Sequence, residues 1–152
     1  YKSTFNNFSH VSDMFIAGHY YDKNAPKLIT LQDAISYDFK IKLIADISCD
    51  INGPIVSTIR SSTIKDPIFG FSPILNAEVN YMNSDAIAVM AVDNLPCELP
   101  RDASESFGEM FIKYVLPSFF NNDKDGILKR SQMTSDKNLT DRFSYLSDYI
   151  AQ

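Results

Sequence analysis

Ala86-Ile87-Ala88-Val89-Met90-Ala91-Val92, running into Asp93-Asn94-Leu95-Pro96, is the stretch on which the fold turns. Seven apolar residues without polar alternation, rich in β-branched types and stopped by turn formers, describe a strand buried on both faces. Two earlier runs carry the same signature. Met14-Phe15-Ile16-Ala17 lies between Ser12-Asp13 and Gly18, and Ile41-Lys42-Leu43-Ile44-Ala45-Asp46-Ile47 runs into Ser48-Cys49-Asp50-Ile51-Asn52-Gly53-Pro54. Crossover-length segments separate the three runs, so a parallel sheet and an α/β class are expected.

The segments between them are punctuated accordingly. Pro26 blocks a helix, and Thr30 can cap a short one over 31–36. From Pro54 to Asn83 no helical period is sustained, and short extended pieces and turns are expected there. Long irregular segments within a compact domain usually bind something.

Beyond Pro100 the period changes to helical. Ala103, Phe107, Met110, Phe111, Tyr114 and Val115 form one apolar stripe, Asp102 and Glu105 stand as a capping box, and the helix is expected to end near Pro117. Ile127 to Met133 reads as a strand, Ser135 to Asn138 as a turn, and Thr140 as the cap of a last helix with stripe Phe143, Leu146, Tyr149 and Ile150.

The 152 residues predict about one domain, with 45% hydrophobic and 22% charged residues excluding wholesale disorder. A net charge of -5 argues against a phosphate-binding surface, so no nucleic-acid partner is expected. No run reaches the roughly 18 to 20 apolar residues of a membrane helix. Cys49 and Cys97 are far apart and in no CxxC pair, so two reduced thiols and a cytoplasmic setting are expected. The chain begins at Tyr1 rather than Met, which suggests a piece of a longer protein.

Strand ends that open into polar loops are where α/β folds place ligands. In extended backbone Asp46, Ser48 and Asp50 share a face that could form an acidic, hydroxyl-bearing rim, but the favoured reading is that Asp46 or Asp50 caps a turn. Pro96 and Pro100 stiffen the loop after the third strand, either for a planar ligand or to start the next helix. Asn121 to Gly126 imitates half of a calcium loop, but Gln132 stands where a bidentate Glu is needed, so a solvated loop is favoured and no metal site is assigned. His10 and His19 match no ligand spacing. None of the five glycines falls in a G-x-G-x-x-G arrangement.

Taken together, the blocks Asp46 to Ile55, Ser62 to Ile68, Asn24 to Thr30 and Asp93-Asn94-Leu95-Pro96-Cys97-Glu98-Leu99-Pro100-Arg101-Asp102-Ala103-Ser104 resemble the C-terminal part of the saccharopine dehydrogenase and lysine-ketoglutarate reductase family, which groups with alanine dehydrogenase and the transhydrogenase α subunit. The alanine dehydrogenase branch has Gln-Gly-Gly after the acid matching Asp50, where this chain has Ile51-Asn52-Gly53, so the saccharopine branch fits better. The resemblance implies the second half of a Rossmann-like coenzyme domain over 1–100, then a linking helix and return to a substrate domain over 101–152. It implies NAD or NADP as cofactor, with contacts at Gly18, Ile47, Val92, Asp93, Asn94 and Leu95. Substrate contacts would fall on Ser48, Cys49 and Asp50. No catalytic acid/base residue is matched in this chain, and neither His10 nor His19 inherits that role. The implied activity is hydride transfer between a nicotinamide cofactor and saccharopine, or lysine plus 2-oxoglutarate, with this segment inactive alone. Its partners would be an amino-acid substrate and the rest of the parent chain. An alanine-type dehydrogenase and a non-catalytic, self-associating module, such as a homodimer, are the alternatives.

Overall fold

The computed structural model describes residues 3–22 and 24–150; Lys23, within the polar stretch after the first strand, lies outside them. The chain divides into two units, one running through Glu98 and the other starting at Leu99.

The first unit opens with a single turn, α1 (Asn6–Ser9), and then β1 (Met14–Ala17), α2 (Leu31–Ile35) and β2 (Leu43–Asp46). β3 (Ile68–Ser72), β4 (Ala77–Val79) and β5 (Ile87–Met90) follow, in one sheet of order β1-β2-β5-β3-β4. β1, β2 and β5 are parallel, as their sequence pattern requires, with Ala17 beside Asp46 and Ala45 beside Met90. Residues 54–83, expected as extended pieces and turns, add an antiparallel hairpin on the far side of β5, so the α/β sheet is mixed rather than wholly parallel.

Phe15, Ile44, Val89 and Phe69 form one row across four strands. With alternation along each strand this row marks the face that carries the core. Ile29, Ile41, Ile55, Ala34 and Phe71 join the same buried cluster. Complete burial of such aliphatic and aromatic groups contributes about 1.5 to 3 kcal/mol each. α2 sits against this cluster through Ala34, and Thr30 starts it with a full capping box: its hydroxyl accepts from the Asp33 amide at 3.2 Å, and Asp33 accepts from the Thr30 amide at 2.8 Å.

The expectation that β1 is buried on both faces is corrected. Met14 and Ile16 are 48% and 59% exposed. β1 is an edge strand, and only its Phe15/Ala17 side meets the core.

The second unit holds α3 (Pro100–Met110), which passes through a π turn (Phe111–Val115) and a 3-10 turn (Leu116–Phe119) before ending, close to the expected Pro117. Asp102 is not its cap. Leu99 occupies that position without a side-chain bond, because Pro100, whose ring presets a helical φ and lacks an amide donor, starts the helix three residues earlier. The apolar stripe of this helix is largely open, with Phe107 71% exposed. Ile127–Ser131, expected as a strand, is a helix, α4. The Asp123 carboxylate accepts from the amides of Leu128 at 3.0 Å and Lys129 at 2.8 Å, and this local cap outweighs the apolar start of the segment. It also means that the acid of the calcium-like loop serves α4. β6 (Thr134–Ser135) and β7 (Asn138–Leu139) form a hairpin across the expected turn, with Asp136 and Lys137 both at positive φ. Thr140 precedes a 3-10 segment (Asp141–Leu146) and α5 (Ser147–Ile150), but its hydroxyl donates to the Gln132 carbonyl at 2.7 Å instead of capping. Among the described residues no helix is long and apolar enough to cross a membrane.

Candidate functional site

Because β1, β2 and β5 run parallel, the loops at 18–21, 47–53 and 91–97 all leave the same edge of the sheet. Gly18 follows β1 in open space: a Cβ built there meets nothing within 4 Å. The residues after β2 close on the end of β1, with the amides of Ile47 and Ser48 donating to the Ala17 carbonyl at 2.8 and 3.2 Å. Ser48 is held in return, its hydroxyl oxygen accepting from the His19 amide at 3.0 Å, with the His19 ring Nδ1 at 3.4 Å. The other ring nitrogen of His19 is buried without a partner. His10 stands apart from this edge, paired with Asp38 at 3.3 Å.

Asp46 does not belong to an acidic rim. It is fully buried, accepting from the Cys49 amide at 3.0 Å and from the Thr58 hydroxyl at 2.6 Å. The turn-capping reading is the one the structure adopts for it, and it holds Cys49 at φ 51. Thr58 lies in the long excursion after the β2 loop, so the same carboxylate fastens that excursion under the strand end. A second tie is the Asn52 amide, which donates to the Thr58 carbonyl at 2.9 Å.

Cys49 turns inward. Its thiol donates to the Ala91 carbonyl at 3.2 Å, joining the end of β2 to the end of β5. Burial first, then the charges of Asp46, Asp93 and Asp50, push this thiol above its ordinary range. The charges of Asp50 and Asp93, on two different loops, thus both act on this one sulfur.

They nevertheless face different spaces. Val92, Asp93 and Asn94 line a cavity of about 400 Å³ with Ser62, Thr63, Ile64, Lys65 and Cys97. Asp50 lines another, of about 470 Å³, with Tyr21, Lys27, Ile51, Asn52 and Gly53. Gly53 is required there: an added Cβ would sit 2.6 Å from the Asp50 Cβ and 2.7 Å from its carbonyl oxygen. Leu95 begins a 3-10 turn (Leu95–Glu98) that returns Cys97 to the first cavity, which Leu95 itself does not line. Ile47 is exposed at the edge and lines neither.

The sequence singled out the 92–95 side of the first cavity and missed the 62–65 side. Ser62 is buried, and its pairing with Val92 is a single bridge. One hydroxyl in a run of Ser and Thr gives no periodic signal. Tyr21 and Lys27 were likewise not singled out beside Asp50; their nearness depends on two loops meeting.

No family model matches the chain. It is 34% identical over 133 residues to the alpha-aminoadipic semialdehyde synthase of Arabidopsis thaliana, an alignment covering 84% of this chain and 12% of that protein. The mitochondrial alpha-aminoadipic semialdehyde synthase of Mus musculus is 27% identical over 172 residues, covering 96% of this chain and 19% of its own. The saccharopine dehydrogenase [NAD(+), L-lysine-forming] of Schizosaccharomyces pombe is 29% identical over 109 residues, covering 69% of this chain and 27% of its own. The chain therefore spans less than a third of the length of each of these relatives.

Proposed function

We propose that this chain, a homologue of the alpha-aminoadipic semialdehyde synthases and saccharopine dehydrogenases, supplies the nicotinamide-binding half of the coenzyme domain in an oxidoreductase of lysine metabolism. The reaction is hydride transfer between a nicotinamide cofactor and saccharopine, or the reductive condensation of lysine with 2-oxoglutarate. The observation that carries this reading is the shared carboxyl edge of β1, β2 and β5, the place where open α/β sheets receive nucleotides.

The residues present suit the nicotinamide end. Gly18 leaves room for close approach, Val92 offers an apolar surface, and Asn94 a side-chain amide beside it. The coenzyme supplies the hydride chemistry; the protein supplies orientation. Backbone groups of Asp93 to Leu95 would hold the carboxamide, Ile47 would meet the coenzyme outside that cavity at the same sheet edge, and Ser48 with Asp50, which lines the neighbouring cavity, would face the substrate, Asp50 accepting a charge-assisted hydrogen bond from its ammonium group. Cys49 contributes by holding the two loops together, since its thiol is already engaged. The pyrophosphate loop and the acid/base pair are assigned to other parts of the polypeptide, residues 1–100 to the coenzyme domain and 101–152 to the return toward the substrate domain. The S. pombe relative is named for NAD(+), which favours NAD over NADP here. Both described cysteines are free thiols, and a reducing compartment, cytoplasm or the mitochondrial matrix of the mouse relative's name, satisfies them.

The test is an assay of the full-length polypeptide with NADH or NADPH, lysine and 2-oxoglutarate, against alanine-type substrates. Coenzyme oxidation that requires lysine and 2-oxoglutarate together is expected; turnover with a simple amino acid alone would replace this reading by the alanine-type one. The open flank of β1 favours the self-associating alternative, and sedimentation with and without NAD separates it: concentration-dependent association without coenzyme binding would support it.

A further inference from the structure

We infer that Ser62 to Lys65 forms the second wall of the nicotinamide-ring site, and that Ser62 is the positioning residue holding this wall against the 92–95 loop. The inference rests on the reading above and adds residues to it.

Ser62 is 3% exposed and pairs with Ala91 twice. Its amide donates to the Ala91 carbonyl at 2.8 Å, and its hydroxyl oxygen accepts from the Ala91 amide at 3.0 Å. Ala91 is the first residue after β5, and it has left the ladder with β2, which ends at the Ala45 and Met90 pair. A side chain thus replaces the missing strand partner, and the Cys49 thiol grips the same carbonyl from the β2 side. Removing the hydroxyl leaves a buried amide unpaired, so the loop must shift or lose that bond.

The wall itself is stiff. The Asp66 amide donates to the Thr63 carbonyl at 3.1 Å and to its hydroxyl oxygen at 3.2 Å, and the Thr63 amide donates back to Asp66 at 3.2 Å. Because the Thr63 oxygen is accepting, its own proton is free to donate. Ile64, half-exposed, and the largely buried Val92 both line the cavity with aliphatic surface. A slot with apolar sides, hydroxyl and amide groups at its margin and the Asp93 carboxylate beside it suits a flat, carboxamide-bearing pyridinium ring. Its volume of about 400 Å³ is adequate for such a ring.

The experiment uses the full-length polypeptide and compares NADH with ADP-ribose, which lacks the ring. Ile64→Trp, at a surface-accessible position, should fill the slot and weaken NADH binding by roughly tenfold or more while leaving ADP-ribose within about twofold. Ser62→Ala should raise the coenzyme KM without moving the amino-acid KM, and Ser62→Thr, which restores the hydroxyl, should recover most of it. Equal NADH affinity in wild type and Ile64→Trp overturns the wall, as does a parallel loss of both ligands. Wild-type protein that binds neither ligand overturns the coenzyme reading on which the wall depends.

Discussion

The thiol of Cys49 lies 3.2 Å from the carbonyl oxygen of Ala91, so the residues leaving two adjacent parallel strands are tied by one hydrogen bond. Only the protonated thiol donates, and burial together with Asp46, Asp93 and Asp50 keeps it protonated by raising its pKa. A smaller thiolate fraction means slower alkylation. Brief iodoacetamide treatment at about pH 8, mapped by mass spectrometry, should therefore modify exposed Cys97 well before Cys49. Preferential labelling of Cys49 would contradict the inward-turned thiol.

Asp46 gives the second prediction. Its carboxylate takes a hydroxyl from Thr58 and an amide from Cys49, both in surroundings closed to water. Asp46→Ala strands both donors and should lower unfolding stability by about 3 kcal/mol, with Asp46→Asn costing less because its side-chain oxygen still accepts. Urea denaturation read by circular dichroism measures this. An unchanged midpoint for Asp46→Ala would show that the carboxylate does not hold the excursion.

These contacts mark what a single sequence could and could not disclose. The parallel trio was legible because Val89 sits in an uninterrupted apolar run and Ile44 in the short apolar core Leu43-Ile44-Ala45, and both are fully buried. The β3 hairpin was not, since Gly70 breaks the run Ile68-Phe69-Gly70-Phe71, and the reason for that glycine is the backbone of Val79 and Tyr81, which only the folded hairpin brings against it. Helix α4 was misread because its decisive group, Asp123, precedes it by four residues and acts through a side-chain cap rather than through periodicity. At the site, the 92–95 loop announced itself by composition. For Asp46 turn capping was the favoured reading, and tertiary placement adds that the carboxylate is buried and also takes the Thr58 hydroxyl. Ser62 had no local signature because its partner is Ala91.

The glycines supply a paired test. At Gly70 an added Cβ would lie 2.7 Å from the Tyr81 Cα and amide nitrogen and from the Val79 carbonyl, all backbone atoms that cannot swing aside. Gly70→Ala should destabilise the protein by about 2 kcal/mol or more. Gly18→Ala meets nothing, so thermal melting should be unchanged while coenzyme affinity in the full-length polypeptide falls. Equal melting losses for both variants would refute the contrast.

Asp33 sets an acid-side prediction. Burial pushes its pKa up, but the Thr30 hydroxyl, the Asn6 amide and the Thr30 backbone together hold it below the ordinary Asp range. Its stabilising contribution is therefore full above the unfolded-state value and is lost as pH falls through the lower folded value. Thr30→Ala should cost about 1 kcal/mol near neutrality, as loss of a helix cap does. Denaturation series from neutral pH into the acid range should show the gap between wild type and Asp33→Asn narrowing toward low pH; a gap that widens there would reverse the sign.

The most direct measurement is the structure of the full-length polypeptide with NADH bound. The nicotinamide ring is expected at the carboxyl edge of β1, β2 and β5, in contact with the 92–95 loop and with Ile64. A ring lying at the opposite, amino-terminal edge of these strands, or away from the 92–95 loop, would contradict that placement.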